Sequence, residues 1–239
     1  MVAGEANVLW KGKPLYFAKT SGTTSGAKYI PITKESMPSH VEAAKNAILL
    51  YIHQTGNTQI VDRKMIFLQG SPVLEDINGV QLGRLSGIVA HYVPKYLQKN
   101  RLPSWETNCI EDWETKVNKI VQETIHEDMS IIAGIPSWVQ MYFEKLVDQK
   151  GQKVGDIFKN LNLFIFGGVN YEPYRSKFET LIGRKVDSIE LYPASEGFFA
   201  FQDLQNETGM LLQLDSGMFY EFISADTFFD ASHQRLTLK

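Results

Sequence analysis

The sequence predicts an α/β fold: a mainly parallel sheet flanked by helices, with additional antiparallel strands towards the C-terminus. Three observations carry that prediction. Short apolar runs at residues 65–68, 131–133 and 163–166 have the make-up of strands buried on both faces. Longer stretches with helical spacing stand between them or before them, at residues 38–53, 113–125 and 137–147. Finally, residues 198–202, 210–214 and 219–223 follow one another with too little chain for crossover helices, which predicts antiparallel pairing.

In chain order, residues 15–18 and 28–32 read as two strands joined by a loop. Tyr29, Ile30 and Ile32 favour extended backbone, and Pro31 has no N–H to give to a helix. Residues 38–53 follow as a helix, with Ala43, Ala47, Ile48 and Leu50 at helical spacing and Gly56 as the stop. The polar residues 99–105 read as a surface loop. Trp113, Val117, Ile120, Val121 and Ile125 form the apolar stripe of an amphipathic helix. Pro136 stands near the start of the helix at 137–147. Leu163-Phe164-Ile165-Phe166 empties into the tight turn Gly167-Gly168-Val169, and Glu172-Pro173 opens a helix through about Leu181. A strand at 186–191 then ends in Tyr192-Pro193-Ala194-Ser195-Glu196-Gly197. Ligands in open α/β sheets bind at the carboxyl ends of strands, and both of these turns belong there.

Composition narrows the functional classes. The chain has 239 residues, 44% of them hydrophobic and 12% aromatic, enough to bury a sizeable core in one domain spanning 1–239. A net charge of -3 leaves no basic excess for a phosphodiester backbone, so no general nucleic-acid binding is expected, while a free nucleotide remains compatible. Cys109 is the only cysteine, and His40, His53, His91, His126 and His233 are scattered, so neither a disulfide nor a zinc cage is expected. A cytoplasmic setting with no membrane association is the expectation, because no apolar run reaches spanning length and the first residues carry acidic Glu5 where a leader would be basic.

The chemistry is concentrated in Thr20-Ser21-Gly22-Thr23-Thr24-Ser25-Gly26-Ala27-Lys28. Glycines let consecutive backbone N–H groups turn inward around an anion, the hydroxyls add rotatable donors, and Lys28 adds charge. A Walker loop would place Lys and then Ser or Thr directly after the second glycine and open a helix. Here Gly26-Ala27-Lys28-Tyr29 leads into a strand, which excludes a P-loop NTPase. In Gly83-Arg84-Leu85-Ser86-Gly87 the centre of a would-be nucleophile elbow is Leu85, which excludes a serine hydrolase there. Glu111-Asp112 and Glu127-Asp128 suit helix ends or solvent.

The loop at 20–28 resembles the phosphate loop of the adenylate-forming superfamily of luciferases and acyl-CoA synthetases. With its extra small residue before Gly26 it is most similar to the auxin-responsive acyl-acid amido synthetase family. The Tyr192-to-Gly197 turn resembles the superfamily motif in which an aromatic residue, a Ser or Thr, and a Glu follow in order. Ala133-Gly134-Ile135-Pro136-Ser137-Trp138 and Phe219-Tyr220-Glu221-Phe222-Ile223 also look like family segments, although Trp138 and Tyr220 by themselves read as core aromatics.

The resemblance implies part of an adenylate-forming fold, a single partial nucleotide-binding domain without the family's C-terminal lid. It implies ATP and Mg²⁺ as cofactors, and a small carboxylic acid and an amine, often an amino acid, as partners. Ser21, Gly22, Thr23, Thr24, Ser25, Gly26 and Lys28 would hold the β,γ-phosphates. Gly167, Gly168 and Val169 would line the adenine, with Tyr192, Pro193 and Ala194 packed beside it. Ser195 would meet the α-phosphate and Glu196 the metal, and Leu85, Ser86 and Ile88 could face an acyl pocket. Lys28, Ser195 and Glu196 are thus the expected catalytic set. An acyl-CoA ligase and a non-catalytic domain retaining the fold are the alternatives.

Overall fold

The computed structural model describes residues 1–20, 26–205 and 207–238. In chain order the strands and helices are β1 (Tyr16–Thr20), β2 (Lys28–Ile32), α1 (Met37–Thr55), β3 (Lys64–Leu68), β4 (Glu75–Ile77), β5 (Val80–Gly83), α2 (Leu85–Ala90), α3 (Lys95–Gln98), β6 (Arg101–Leu102), α4 (Trp105–Asn108) and α5 (Trp113–Thr124). They continue with β7 (Met129–Gly134), α6 (Pro136–Lys150), α7 (Val154–Ile157), β8 (Leu163–Gly167), α8 (Glu172–Ile182), β9 (Asp187–Ala194), β10 (Gly197–Phe201), β11 (Leu211–Leu212), β12 (Glu221–Phe222) and β13 (Leu236–Thr237).

The main sheet has the order β11-β10-β9-β8-β7-β3-β6. From β6 to β9 every pair is parallel, and β10 and β11 are added antiparallel. The two-residue alternation of a strand sorts its side chains between two cores. Ile132, Phe164 and Phe166 meet Val117, Ile120, Val139, Phe143 and Phe178 of α5, α6 and α8. Ile131, Ala133, Leu163 and Ile165 face the other way, towards Ala43, Ala47 and Tyr51 of α1. Covered on both sides, β7 and β8 can be apolar without interruption, which is why they are legible as runs.

A second sheet has the order β2-β1-β5-β4, with β1 parallel to β5, and α2 packs on it through Ile88 against Ala18 and Ile32. α1 links the two sheets. Its entry is set by Thr33 and Ser36, each backbone N–H bonding to the other's side-chain oxygen at 3.0 Å. Its exit is set by Gly56 at φ 69, whose N–H returns to the Ile52 carbonyl. No helix among the described residues is long and apolar enough to cross a membrane.

Several boundaries depart from the sequence reading. Residues 99–105 are not a simple surface loop, since Arg101 and Leu102 extend the main sheet beside Met65 and Ile66. The β4–β5 hairpin turns on Asn78 at φ 53 and Gly79 at φ 80, an Asn-Gly signal that the sequence reading passed over. Of the three late strands, only β10 and β11 join the main sheet. β12 pairs instead with β13, because Glu221 and Phe222 lie opposite Thr237 and Leu236.

Candidate functional site

Because β3, β7, β8 and β9 run in one direction, their carboxyl ends share one edge of the main sheet. The segments that follow them are Gln69-Gly70-Ser71, Ile135-Pro136, Gly168-Val169 and Ser195-Glu196. Two of the three predicted segments therefore stand side by side, on adjacent strands.

β9 continues through Tyr192, Pro193 and Ala194, further than the sequence reading placed it, and Ala194 pairs with Gly197. Ser195 and Glu196 alone make the tip of a tight hairpin. Tyr192 is 53% exposed and packs its ring against Phe199 with centroids 5.4 Å apart, leaving an aromatic face open to solvent. Val169 is 41% exposed at the neighbouring strand end. Glu196 is exposed, and among the described residues no group pairs with its carboxylate or with the Ser195 hydroxyl.

The glycines of the β8 turn have local explanations. A side chain at Gly167 would put its Cβ 2.5 Å from the Leu191 carbonyl oxygen on β9, so glycine there is demanded by the neighbouring strand. Gly168 adopts φ 81 with open space around its Cα, so its requirement is conformational.

Ser21, Gly22, Thr23, Thr24 and Ser25 lie outside the described residues. Their flanks are Thr20, paired with Lys28 across the β1–β2 hairpin, and Gly26 at φ 81. Lys28 is exposed, with no ion-pair partner among the described residues. The disposition of α1 bears on where this hairpin sits. The Tyr51 hydroxyl, near the end of α1, donates to Asp187 Oδ2 at the start of β9, 2.9 Å away. From Tyr51 back to Met37 the helix climbs about 21 Å at about 1.5 Å per residue, while β9 climbs about 23 Å from Asp187 to Ala194. α1 packs across β9 and β10 through Ala43 and Ala47, so its first turn, and Ile32 just before it, lie towards the edge that carries Ser195 and Glu196.

Among the described residues no three His, Cys, Asp or Glu side chains gather as a metal cage. A divalent cation at Glu196 would take its other ligands from phosphate oxygens and water, a donor set suited to Mg²⁺. Two concavities, of about 490 and 360 Å³, flank α5 around Gln122, and neither contains a predicted site residue.

Leu85, Ser86 and Ile88 open α2, where Ile88 is fully buried against β1 and cannot face a ligand. Gly87 is required because a Cβ there would lie 2.7 Å from the Ser71 carbonyl oxygen. Trp138 stacks on Trp113 at 4.3 Å, and Tyr220 donates to the Gln213 carbonyl at 3.0 Å, but both side chains are half-buried and neither belongs to the core in which the sequence places them. What the sequence reading missed is a polar cluster at the exit of β3, formed by the buried Gln69, Asn108 and Lys116 with the half-buried Arg101. Its one visible signal is a lysine on the apolar stripe of α5.

Residues 1–100 match the GH3 family N-terminal domain. The fold is similar to AtGH3.15 acyl acid amido synthetase in complex with 2,4-DB, with a TM-score of 0.71 and 13% identity over 99% of this chain and 50% of that one. A second GH3.15 acyl acid amido synthetase structure gives a TM-score of 0.68 and 11% identity over 93% of this chain and 48% of that one. A 2-hydroxyisobutyryl-CoA ligase in complex with 2-HIB-AMP and CoA gives 0.52 and 14%, over 88% and 40%. No curated protein matches. The chain thus spans about half the length of the amido synthetases whose fold it shares, and the resemblance read from its two motifs is borne out.

Proposed function

We propose that this chain, with a GH3 N-terminal domain match over residues 1–100 and the fold of acyl acid amido synthetases along its length, is the nucleotide-binding part of an enzyme that adenylates a carboxylic acid. The observation that supports this reading most is the β9–β10 tip. An open aromatic face, a free hydroxyl and a free carboxylate occur there within five residues, at the carboxyl edge of parallel strands. Residues 1–239 act as one domain in this reading.

In the proposed reaction a substrate carboxylate attacks the α-phosphorus of ATP in line, forming the acyl-phosphate bond as the bond to pyrophosphate breaks. No proton needs to move in that step, so the protein's contribution is placement and charge neutralisation. Tyr192 offers its ring to the adenine, flanked by Pro193, Ala194 and the turn at Gly167, Gly168 and Val169. The Ser195 hydroxyl donates to the α-phosphate. Residues 21–26, with Lys28, hold the departing β,γ-phosphates. Mg²⁺ held by Glu196 would supply positive charge between the phosphates. The acyl group would then pass to an amine such as an amino acid.

Calorimetric titration of ATP·Mg²⁺ tests the reading. Native chain should bind, Glu196→Ala should weaken binding by about tenfold, the scale of one lost charge-assisted contact, and Lys28→Ala should weaken ATP more than AMP. Failure of the native chain to bind ATP·Mg²⁺ would overturn it.

A further inference from the structure

Among the described residues one buried cation, Lys116, and one half-buried cation, Arg101, have no carboxylate partner, and both attach to the same residue. Lys116 is 2% exposed and donates from Nζ to the Gln69 carbonyl at 3.0 Å and to the Asn108 carbonyl at 2.6 Å. In the amide orientation that satisfies its surroundings, Gln69 accepts from Arg101 Nη2 at 3.0 Å and donates to the Ser86 carbonyl at 3.1 Å. Arg101 also donates from Nη1 to the Ala90 carbonyl at 3.3 Å, and its guanidinium lies 5.9 Å from the centre of the Phe67 ring. A third cation crosses the next residue: a Cβ at Gly70 would lie 3.3 Å from Arg84 Cδ and 3.9 Å from its Nη1.

Among the described residues none of these three forms an ion pair. Burial alone pushes Arg101 down; burial is also the main influence on Lys116, opposed by the neighbouring Cys109 thiol, and no carboxylate acts on either. Buried charges are ordinarily paired, because stripping water from an ion is costly and a counter-charge with good hydrogen bonds offsets it. Carbonyl oxygens satisfy the donors here and leave the net charge standing. Elsewhere the chain does the reverse: Arg175 and Lys177, both on the surface of α8, have Glu172 and Glu144 beside them.

Lys116, Gln69 and Asn108 are sealed from solvent, whereas Arg84 is exposed. The missing side chain at Gly70 leaves the guanidinium of Arg84 lying close over the backbone at the mouth of the cluster. A field from three positive charges without a carboxylate partner among the described residues, focused by low-dielectric surroundings, draws a small anion to that mouth. Arg presents a planar fork matched to carboxylate and phosphate oxygens.

We propose that the exit of β3 is an oxyanion-binding site, in which Arg84 contacts a carboxylate or phosphate oxygen directly while Arg101 and Lys116 beneath it supply charge and hold the Gln69-Gly70 backbone. It is separate from the Ser195-Glu196 tip, since β7 and β8 intervene between β3 and β9 and three strand spacings amount to about 14 Å. The site therefore stands whether or not a nucleotide binds at β9.

The test titrates the whole chain with sodium benzoate and with inorganic phosphate in separate arms at constant ionic strength, read by calorimetry and by tryptophan fluorescence, to which Trp113, one turn before Lys116, contributes. At least one probe should saturate. Arg84→Ala should weaken it by about tenfold, as for a lost charge-assisted hydrogen bond, and Lys116→Met should weaken it by a smaller factor. Arg175→Gln, which removes a surface cation elsewhere, should leave it unchanged. Saturation by benzoate alone assigns an organic acid, and saturation by phosphate alone assigns a phosphorylated one. Should Lys116→Met fail to fold, Arg84→Ala decides alone, because its side chain is exposed. No saturable binding of either probe, or equal weakening by Arg84→Ala and Arg175→Gln, would overturn the proposal.

Discussion

Two corners of the same sheet edge are built on opposite plans. At the β9–β10 tip the polar groups stand in solvent, with Tyr192 half-exposed and Glu196 unpaired among the described residues. At the β3 exit they are internal: Gln69, Asn108 and Lys116 are each no more than 3% exposed, and they hold one another through backbone carbonyls. The tip contributes little to folding and is free to change partners. The β3 exit is part of the fold, so anything that disturbs its charges is felt first as stability.

The largest expected effects test whether backbone crowding fixes both corners. Gly87→Ala and Gly167→Ala would drive a Cβ to 2.7 Å from the Ser71 carbonyl and 2.5 Å from the Leu191 carbonyl. Each should cost about 3 kcal/mol in urea denaturation, because backbone on a neighbouring segment cannot step aside. Gly197→Ala meets only the Met218 sulfur, the flexible part of a side chain, and should cost clearly less.

A second measurement separates the corners by pH. Burial pushes Lys116 down to about 8 from 10.5. Above about pH 8 the unfolded chain therefore keeps a proton that the folded chain has released, and stability must rise with pH until the unfolded lysine also titrates. The rise between pH 7 and 9.5 should be about 2 kcal/mol, and Lys116→Met should flatten it. Beyond about pH 10 the slope reverses, because Tyr92 and Tyr171, pushed up to about 12 by burial, stay protonated in the folded chain and ionise in the unfolded one. A profile in Lys116→Met identical to that of the native chain would remove the β3 exit from the contrast.

The smallest effect is expected on the surface. Glu172→Gln breaks the Arg175 pair at 2.6 Å, yet both side chains are well exposed. The loss should be the smallest of the series in the same denaturation assay, and it should shrink further with added salt.

What the sequence discloses follows the same division. β7 and β8 were legible because they are covered on both faces and read as uninterrupted apolar runs, and the β9–β10 tip was legible because its groups are contiguous in the chain. The β3 exit joins residues 69, 84, 101, 108 and 116, which no local pattern connects. Lys116 is the one trace, a charged residue on an otherwise apolar helix face, and it looks like any solvated lysine until the Gln69 and Asn108 carbonyls are seen against it. β6 escaped notice for a related reason: Arg101 and Leu102 are too short a strand to show periodicity, and only Met65 and Ile66 beside them give them a place.

Cys109 gives this arrangement a practical edge. It is the only thiol in the chain, it is half-buried, and it directly follows Asn108, whose carbonyl receives Lys116. A disulfide-exchange dye can therefore mark no other position, and its rate of attachment becomes a clock for how often this one corner loosens.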